Sequence, residues 1–184
     1  MDLPFTPTEF FQVFRSYNQA VWPSQWLWFV LALAAVIAVR TGSRSATRAM
    51  FLVLAGLWLW MGAVYHGVFF RSINPAAVLF AALFIAQAGV LLYHAARERV
   101  VIRPDRSPAG IVGWLIVAYG LVLYPLLGAA LGHRYPASPT FGLPCPTTLY
   151  TLGVLQGSVQ PLDVTRIAVR LRSCWTGSQL ITRR

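Results

Sequence analysis

The run Ala76-Ala77-Val78-Leu79-Phe80-Ala81-Ala82-Leu83-Phe84-Ile85-Ala86-Gln87-Ala88-Gly89-Val90-Leu91-Leu92-Tyr93 contains no Asp, Glu, Lys or Arg, and Gln87 is its one strongly polar side chain. A helix of about 20 apolar residues matches the thickness of a bilayer's hydrocarbon core, so this run predicts a transmembrane helix that ends near His94. Comparable runs lie at about 22–39, 49–70 and 111–132. The whole chain agrees: 57% of its 184 residues are hydrophobic and 11% are charged, where a soluble domain has roughly a quarter charged. The expected fold class is an all-α integral membrane bundle with four clear transmembrane helices, an N-terminal interfacial helix and a partial fifth span.

The net charge of +10 comes from Lys+Arg 15 against Asp+Glu 5. Its placement excludes a nucleic-acid partner, because the arginines gather in short loops and the tail, where they set topology and meet anionic lipid head groups. Arg40, Arg44 and Arg48 follow the first span without an acid among them; Arg97, Arg99, Arg103 and Arg106 outnumber Glu98 and Asp105 after the third. Both loops are therefore expected in the cytoplasm of a multi-pass inner-membrane protein with its N-terminus outside. The turn at Arg71-Ser72-Ile73-Asn74-Pro75 and the segment 133–148 then share the outer face.

At the N-terminus Thr6 is placed to cap a helix, Pro7 fits its first position and Glu9 closes a capping box. Phe10, Phe14, Tyr17 and Val21 recur at helical spacing, which predicts a helix lying in the membrane interface, followed by an aromatic belt of Trp22, Trp26 and Trp28. There is no basic n-region of a cleavable signal, so the first span is expected to direct insertion. Pro125 predicts a kink after Tyr124, and Gly128 with Gly132 forms a GxxxG pair that permits close helix approach. Leu149 to Leu155 begins like a fifth span, but about seven apolar residues do not cross a bilayer. Residues 1–155 are thus expected to form the transmembrane domain, and 156–184 a basic, polar, poorly ordered tail.

The densest chemistry lies in His133-Arg134-Tyr135-Pro136-Ala137-Ser138-Pro139-Thr140-Phe141-Gly142-Leu143-Pro144-Cys145-Pro146-Thr147-Thr148. With the outer ends of spans two and three, it yields a ligand-binding set of His66, Asn74, His133, Arg134, Tyr135, Thr140, Cys145 and Thr147. His66, His133 and Cys145 are a candidate metal or haem set, although their spacing matches no established metal motif. Cys145 with His133 as base is the nucleophilic pair to consider, yet Pro144 and Pro146 leave few N–H groups for an oxyanion hole. No carboxylate lies inside a span, which favours a passive, binding or accessory role over an ion-coupled pump, and no nucleotide-binding loop is present. The leading reading is a transport-related or small-ligand-binding membrane protein with its site at the outer, periplasmic face. The alternative is a membrane-embedded enzyme or metal/haem protein using the same residues. No particular cofactor is specified; the expected partners are the lipid bilayer, a small molecule or ion, and a second copy or another membrane subunit.

Pro4-Phe5-Thr6-Pro7, Glu9-Phe10-Phe11, Tyr17-Asn18, Trp22-Pro23, Tyr65-His66, Phe69-Phe70, Ile73-Asn74-Pro75-Ala76, Gly132-His133-Arg134-Tyr135-Pro136 and Pro139-Thr140-Phe141-Gly142-Leu143-Pro144-Cys145-Pro146-Thr147-Thr148 together resemble the bacterial inner-membrane domain-of-unknown-function family 6064. The resemblance covers about residues 1–153. It implies a small multi-helix membrane protein and no particular reaction. It also implies further hydrophobic helices after the Cys-Pro-Thr-Thr motif, where this sequence turns polar and reads like a truncated or frameshifted frame.

Overall fold

Thr6 opens the first helix as its sequence dictates. Its hydroxyl accepts from the Glu9 N–H (3.3 Å), and its own N–H donates to the Glu9 carboxylate (2.7 Å). Both amides would otherwise lack partners, which is why this pairing nucleates a helix start. The computed structural model describes residues 5–98 and 100–158. Among these it shows six helices and no strand: α1 (Pro7–Ala20), α2 (Ser24–Val39), α3 (Arg44–Ser72), α4 (Ala77–Arg97), α5 (Pro108–Ala130) and α6 (Pro144–Ser158). Ser43 and Ser107 cap α3 and α5 by accepting from the amides of Ala46 and Gly110, each at 3.1 Å.

Three helices, α3, α4 and α5, are long and apolar enough to cross a membrane, and a fourth crossing results if α1 and α2 count as one bent span. The expected first span is thus only partly realised. α2 has 16 residues, about 24 Å of helix, and α1 joins it at 84°. The stripe of Phe14 and Tyr17 is buried, but against protein: α1 lays it over the end of α3, on Tyr65, Phe69 and Phe70.

The expected vestige of a fifth span is a 15-residue helix. Gln156, Gly157 and Ser158, assigned above to the polar tail, complete α6, while residues 159–184 lie outside the described region. Backbone contact explains why such a short apolar segment packs. A Cβ on Gly113 of α5 would stand 2.2 Å from the Gly157 nitrogen, and one on Gly153 would stand 2.7 Å from the Gly113 carbonyl oxygen. The expected seam at Gly128 and Gly132 is not used, because nothing lies within 4 Å of a Cβ at either. A glycine pair permits close approach, but the partner's own small residues select the face that is used. The expected kink after Tyr124 does not break the helix: hydrogen bonding widens to i→i+5 over Tyr119–Leu123, just before Pro125, and absorbs the lost N–H within one continuous helix.

The main core lies between α2, α3 and α6, around Ala32, Met50, Leu54, Leu57, Tyr150 and Val154. The Tyr150 hydroxyl donates to the Ala32 carbonyl (2.9 Å) and the Trp58 indole to Thr151 Oγ1 (3.0 Å), so α6 is tied to both neighbours. The two basic loops meet at one end of the bundle, where the Ile102 N–H donates to Thr47 Oγ1 (2.9 Å) and Arg48 pairs with Glu98 (3.4 Å). The opposite end carries α1 and the segment 133–143.

Candidate functional site

Asn18 follows Tyr17 on the buried face of α1 and is fully enclosed. Its Nδ2 donates to the carbonyls of Pro136 and Ser138, both at 2.7 Å, and its Oδ1 accepts from the Thr140 hydroxyl at 2.6 Å. The orientation of the amide is fixed chemically, because carbonyl oxygens only accept. The Asn18 main-chain carbonyl accepts in turn from Gln25 Nε2 (2.8 Å) and the Tyr135 hydroxyl (3.3 Å). One residue thus holds four points of the loop and one of α2. The loop needs this outside donor, since Pro136 and Pro139 contribute carbonyls and no N–H.

A second anchor lies one residue earlier. The Tyr17 hydroxyl donates to the Gly142 carbonyl (3.2 Å) and accepts from the Trp60 indole of α3 (2.8 Å). The Gly142 N–H donates to Thr147 Oγ1 (3.2 Å) in the first turn of α6. Gly142 sits at φ 95°, a backbone region that favours glycine.

Beneath this clamped loop is a cavity of about 570 Å³. Trp22, Trp26 and Phe29 form one wall; Gly120, Leu121 and Pro125, around the widened turn of α5, form the other; Tyr135, Thr140 and Phe141 make the roof. Gln25 stands in the wall, 6% exposed. Its Oε1 has no hydrogen-bond partner.

The expected site residues divide into two groups. Tyr135, Thr140 and Thr147 converge on the Asn18–Gly142 network. His133 lies at its edge with its ring stacked on Phe11 (4.5 Å between centroids), and Arg134 is exposed. His66 and Asn74 have other surroundings. The His66 ring is buried against Tyr65, Phe70, Phe80 and Phe84 with neither nitrogen partnered. Asn74 Oδ1 accepts from the Ala76 N–H (3.0 Å) at the start of α4. Cys145 is an exposed free thiol.

The expected metal set is not assembled, since no three His, Cys, Asp or Glu side chains group to hold an ion among the described residues. The reason is local: aromatic rings pack around His66, the His133 ring stacks on Phe11, and Cys145 is exposed. Nor does a hydrogen bond join His133 to Cys145 as a nucleophilic pair would require. Sequence reasoning overlooked Tyr17, Asn18 and Gln25. Asn18 had a signal, because it stands at i+4 from Phe14 and so places an amide on an otherwise apolar stripe.

The class defined by these features is an all-helical protein with three helices long enough and apolar enough to cross a membrane, and with a loop-roofed cavity at one end. Within that class the chain belongs to the family of unknown function DUF6064, whose model matches residues 7–177. No curated protein and no solved structure matches it.

Proposed function

We propose that the protein is a four-span membrane protein of the bacterial inner membrane that binds a small, largely apolar ligand in the cavity under the 133–143 loop. The observation that carries this reading is the cavity itself. Its volume of about 570 Å³ falls within the range of about 300–1,000 Å³ typical of ligand sites, and its roof is fixed by a buried amide. α3, α4 and α5, with the bent α1–α2 pair, supply the four crossings. The shared end of the basic loops supports a cytoplasmic position for them by the positive-inside rule. The cavity and the N-terminus then face the periplasm. No Asp, Glu, Lys or Arg lines the cavity, which supports a passive role, in ligand binding or as an accessory to transport, over ion-coupled pumping.

The experiment is native mass spectrometry of the protein gently extracted from membranes, beside a Val122→Trp variant that places a bulky ring at the cavity wall. A co-purifying small molecule on the native protein that is absent from a folded Val122→Trp variant is the expected result. A native protein that carries no such molecule, and whose tryptophan fluorescence ignores added apolar probes, would sink the reading.

A further inference from the structure

The cavity lies between two helices that do not pack on one another. α2 packs against α3 and α5 against α6, with no comparable seam joining α2 to α5 among the described residues. Each side of the gap carries an apolar lip: Trp22 and Trp26 on the α2 side are 56% and 59% exposed, and Val122 and Leu126 on α5 are 50% and 60% exposed. Phe29, Leu121 and Phe141 line the space behind them. The opening is therefore lateral. Its depth follows from the helix rise of about 1.5 Å per residue, which puts Phe29 roughly 15 Å from the Val39 end of α2 and Leu126 roughly 27 Å from the Pro108 start of α5. With the basic loops in the cytoplasm, as proposed above, and a hydrocarbon core of about 30 Å, the opening falls at the depth of the outer leaflet's acyl chains.

Above the opening the chemistry changes. Tyr135 stands edge-on to Trp22, 6.1 Å between ring centroids, and closes the outer corner. Arg134, the exposed residue beside it, carries the only formal charge in the segment 133–143. A cation at head-group level over an apolar slot is complementary to a lipid phosphate over an acyl chain.

Deepening the cavity reading, on which this rests, we propose that the occupant is a glycerophospholipid of the outer leaflet. One acyl chain enters sideways between α2 and α5, and the phosphate pairs with Arg134. A water-borne molecule has to pass the clamped roof, whereas a chain already in the bilayer meets the open side. Because the bilayer is as apolar as the slot, the chain itself gains little on entry, and selectivity comes from the head group.

The test uses the full chain in maltoside micelles, which contain no phosphate. Phosphatidylglycerol with a diazirine in the middle of one acyl chain is added, and the residues labelled on irradiation are mapped by peptide mass spectrometry. Label is expected on Phe29, Leu121 and Phe141, and its loss from these positions in Val122→Trp, with folding checked by melting temperature. Unlabelled phosphatidylglycerol should displace the label about fivefold better than a diacylglycerol with the same chains, the effect of one arginine near a lipid surface. Arg134→Gln should abolish that preference. Label confined to the outward faces of the helices, or equal displacement by the two competitors, overturns the proposal. The cavity reading is then decided separately by 1-aminoanthracene, an apolar fluorophore with neither chain nor head group: binding that is lost in Val122→Trp upholds that reading, and no binding overturns it too.

Discussion

Replacing Asn18 with leucine keeps the side-chain volume close to native and removes every polar contact that the amide makes. Three loop groups then lose their partners: the carbonyls of Pro136 and Ser138, each now receiving a donor at 2.7 Å, and the Thr140 hydroxyl at 2.6 Å. An orphaned buried group costs about 1–3 kcal/mol. The loop residues are only half-buried, so water recovers part of that, and the added methyl groups return some apolar burial. The net loss is about 3 kcal/mol, or roughly 6–12 °C in Tm for a domain of this size. The bonds to the Asn18 main-chain carbonyl survive, so α1 keeps its link to α2.

A global melting temperature alone does not show that the loop is the part released. Arg134 is exposed at the edge of the loop, and trypsin cleaves there when the segment opens. If cleavage follows the opening equilibrium, 3 kcal/mol corresponds to a rate increase of about a hundredfold. Asn18→Asp should be worse at neutral pH, because a carboxylate offers no donor and sets its charge against two carbonyl oxygens. Those oxygens and burial raise the pKa of the introduced group, so its protonation on folding relieves the defect as pH falls, opposite to the usual acid lability of a carboxylate. Cleavage at Arg134 within twofold of the native rate in Asn18→Leu would refute the claim that this amide holds the roof.

Other consequences can be measured on the same preparation. Gly113→Ala forces its new methyl group into the Gly157 backbone, which has no flexible end to yield, and should cost at least 1–3 kcal/mol, whereas Gly128→Ala meets nothing within 4 Å and should melt at or above the native temperature; the reverse order would mean that the wrong glycines have been assigned to the seam. Cys145, exposed at the same end as α1, should react with a membrane-impermeant maleimide in intact spheroplasts of a Cys174→Ser background, and labelling only after lysis would invert the proposed topology. The Asp105 carboxyl is held below its ordinary value of 3.8 by the hydroxyl and N–H of Ser107. Its contribution is therefore present above that value and lost as pH falls through the lower folded pKa. Ser107→Ala should shift the acid-unfolding midpoint upward, and an unchanged midpoint would show that the cap does not couple to stability.

Local signals were legible in the sequence where local physics determines the outcome. The Thr6–Glu9 capping box, the apolar runs of α3, α4 and α5 and the turn at Asn74-Pro75 each depend on residues a few positions apart, and each is present. Tyr135, Thr140 and Thr147 were recognisable as a group because they are close in sequence. Asn18 and Gln25 were not, since the loop partners of Asn18 are 118 to 122 residues away. The use of Gly113, Gly153 and Gly157 was hidden for a similar reason: spacing shows that a helix offers a small face and leaves open which neighbour takes it. His66, His133 and Cys145 are plausible ligands by type, but His66 is taken up in an aromatic cluster, His133 stacks on Phe11 and Cys145 is exposed, so the three do not converge.

The residues that carry the family resemblance acquire a physical connection in the fold. A proline-rich roof is stiff but poor in donors, so its carbonyls must be satisfied from elsewhere. α1 turns through 84° from α2 and crosses the end of the bundle, where Tyr17 and Asn18 meet that need. Trp22 and Gln25 lie just beyond the bend and become the cavity wall. The Pro144-Cys145-Pro146-Thr147 start of α6 returns the loop to the bundle through the Gly142 N–H. The bend, the roof and the start of α6 therefore border one half-open space, with Gln25 buried in its wall.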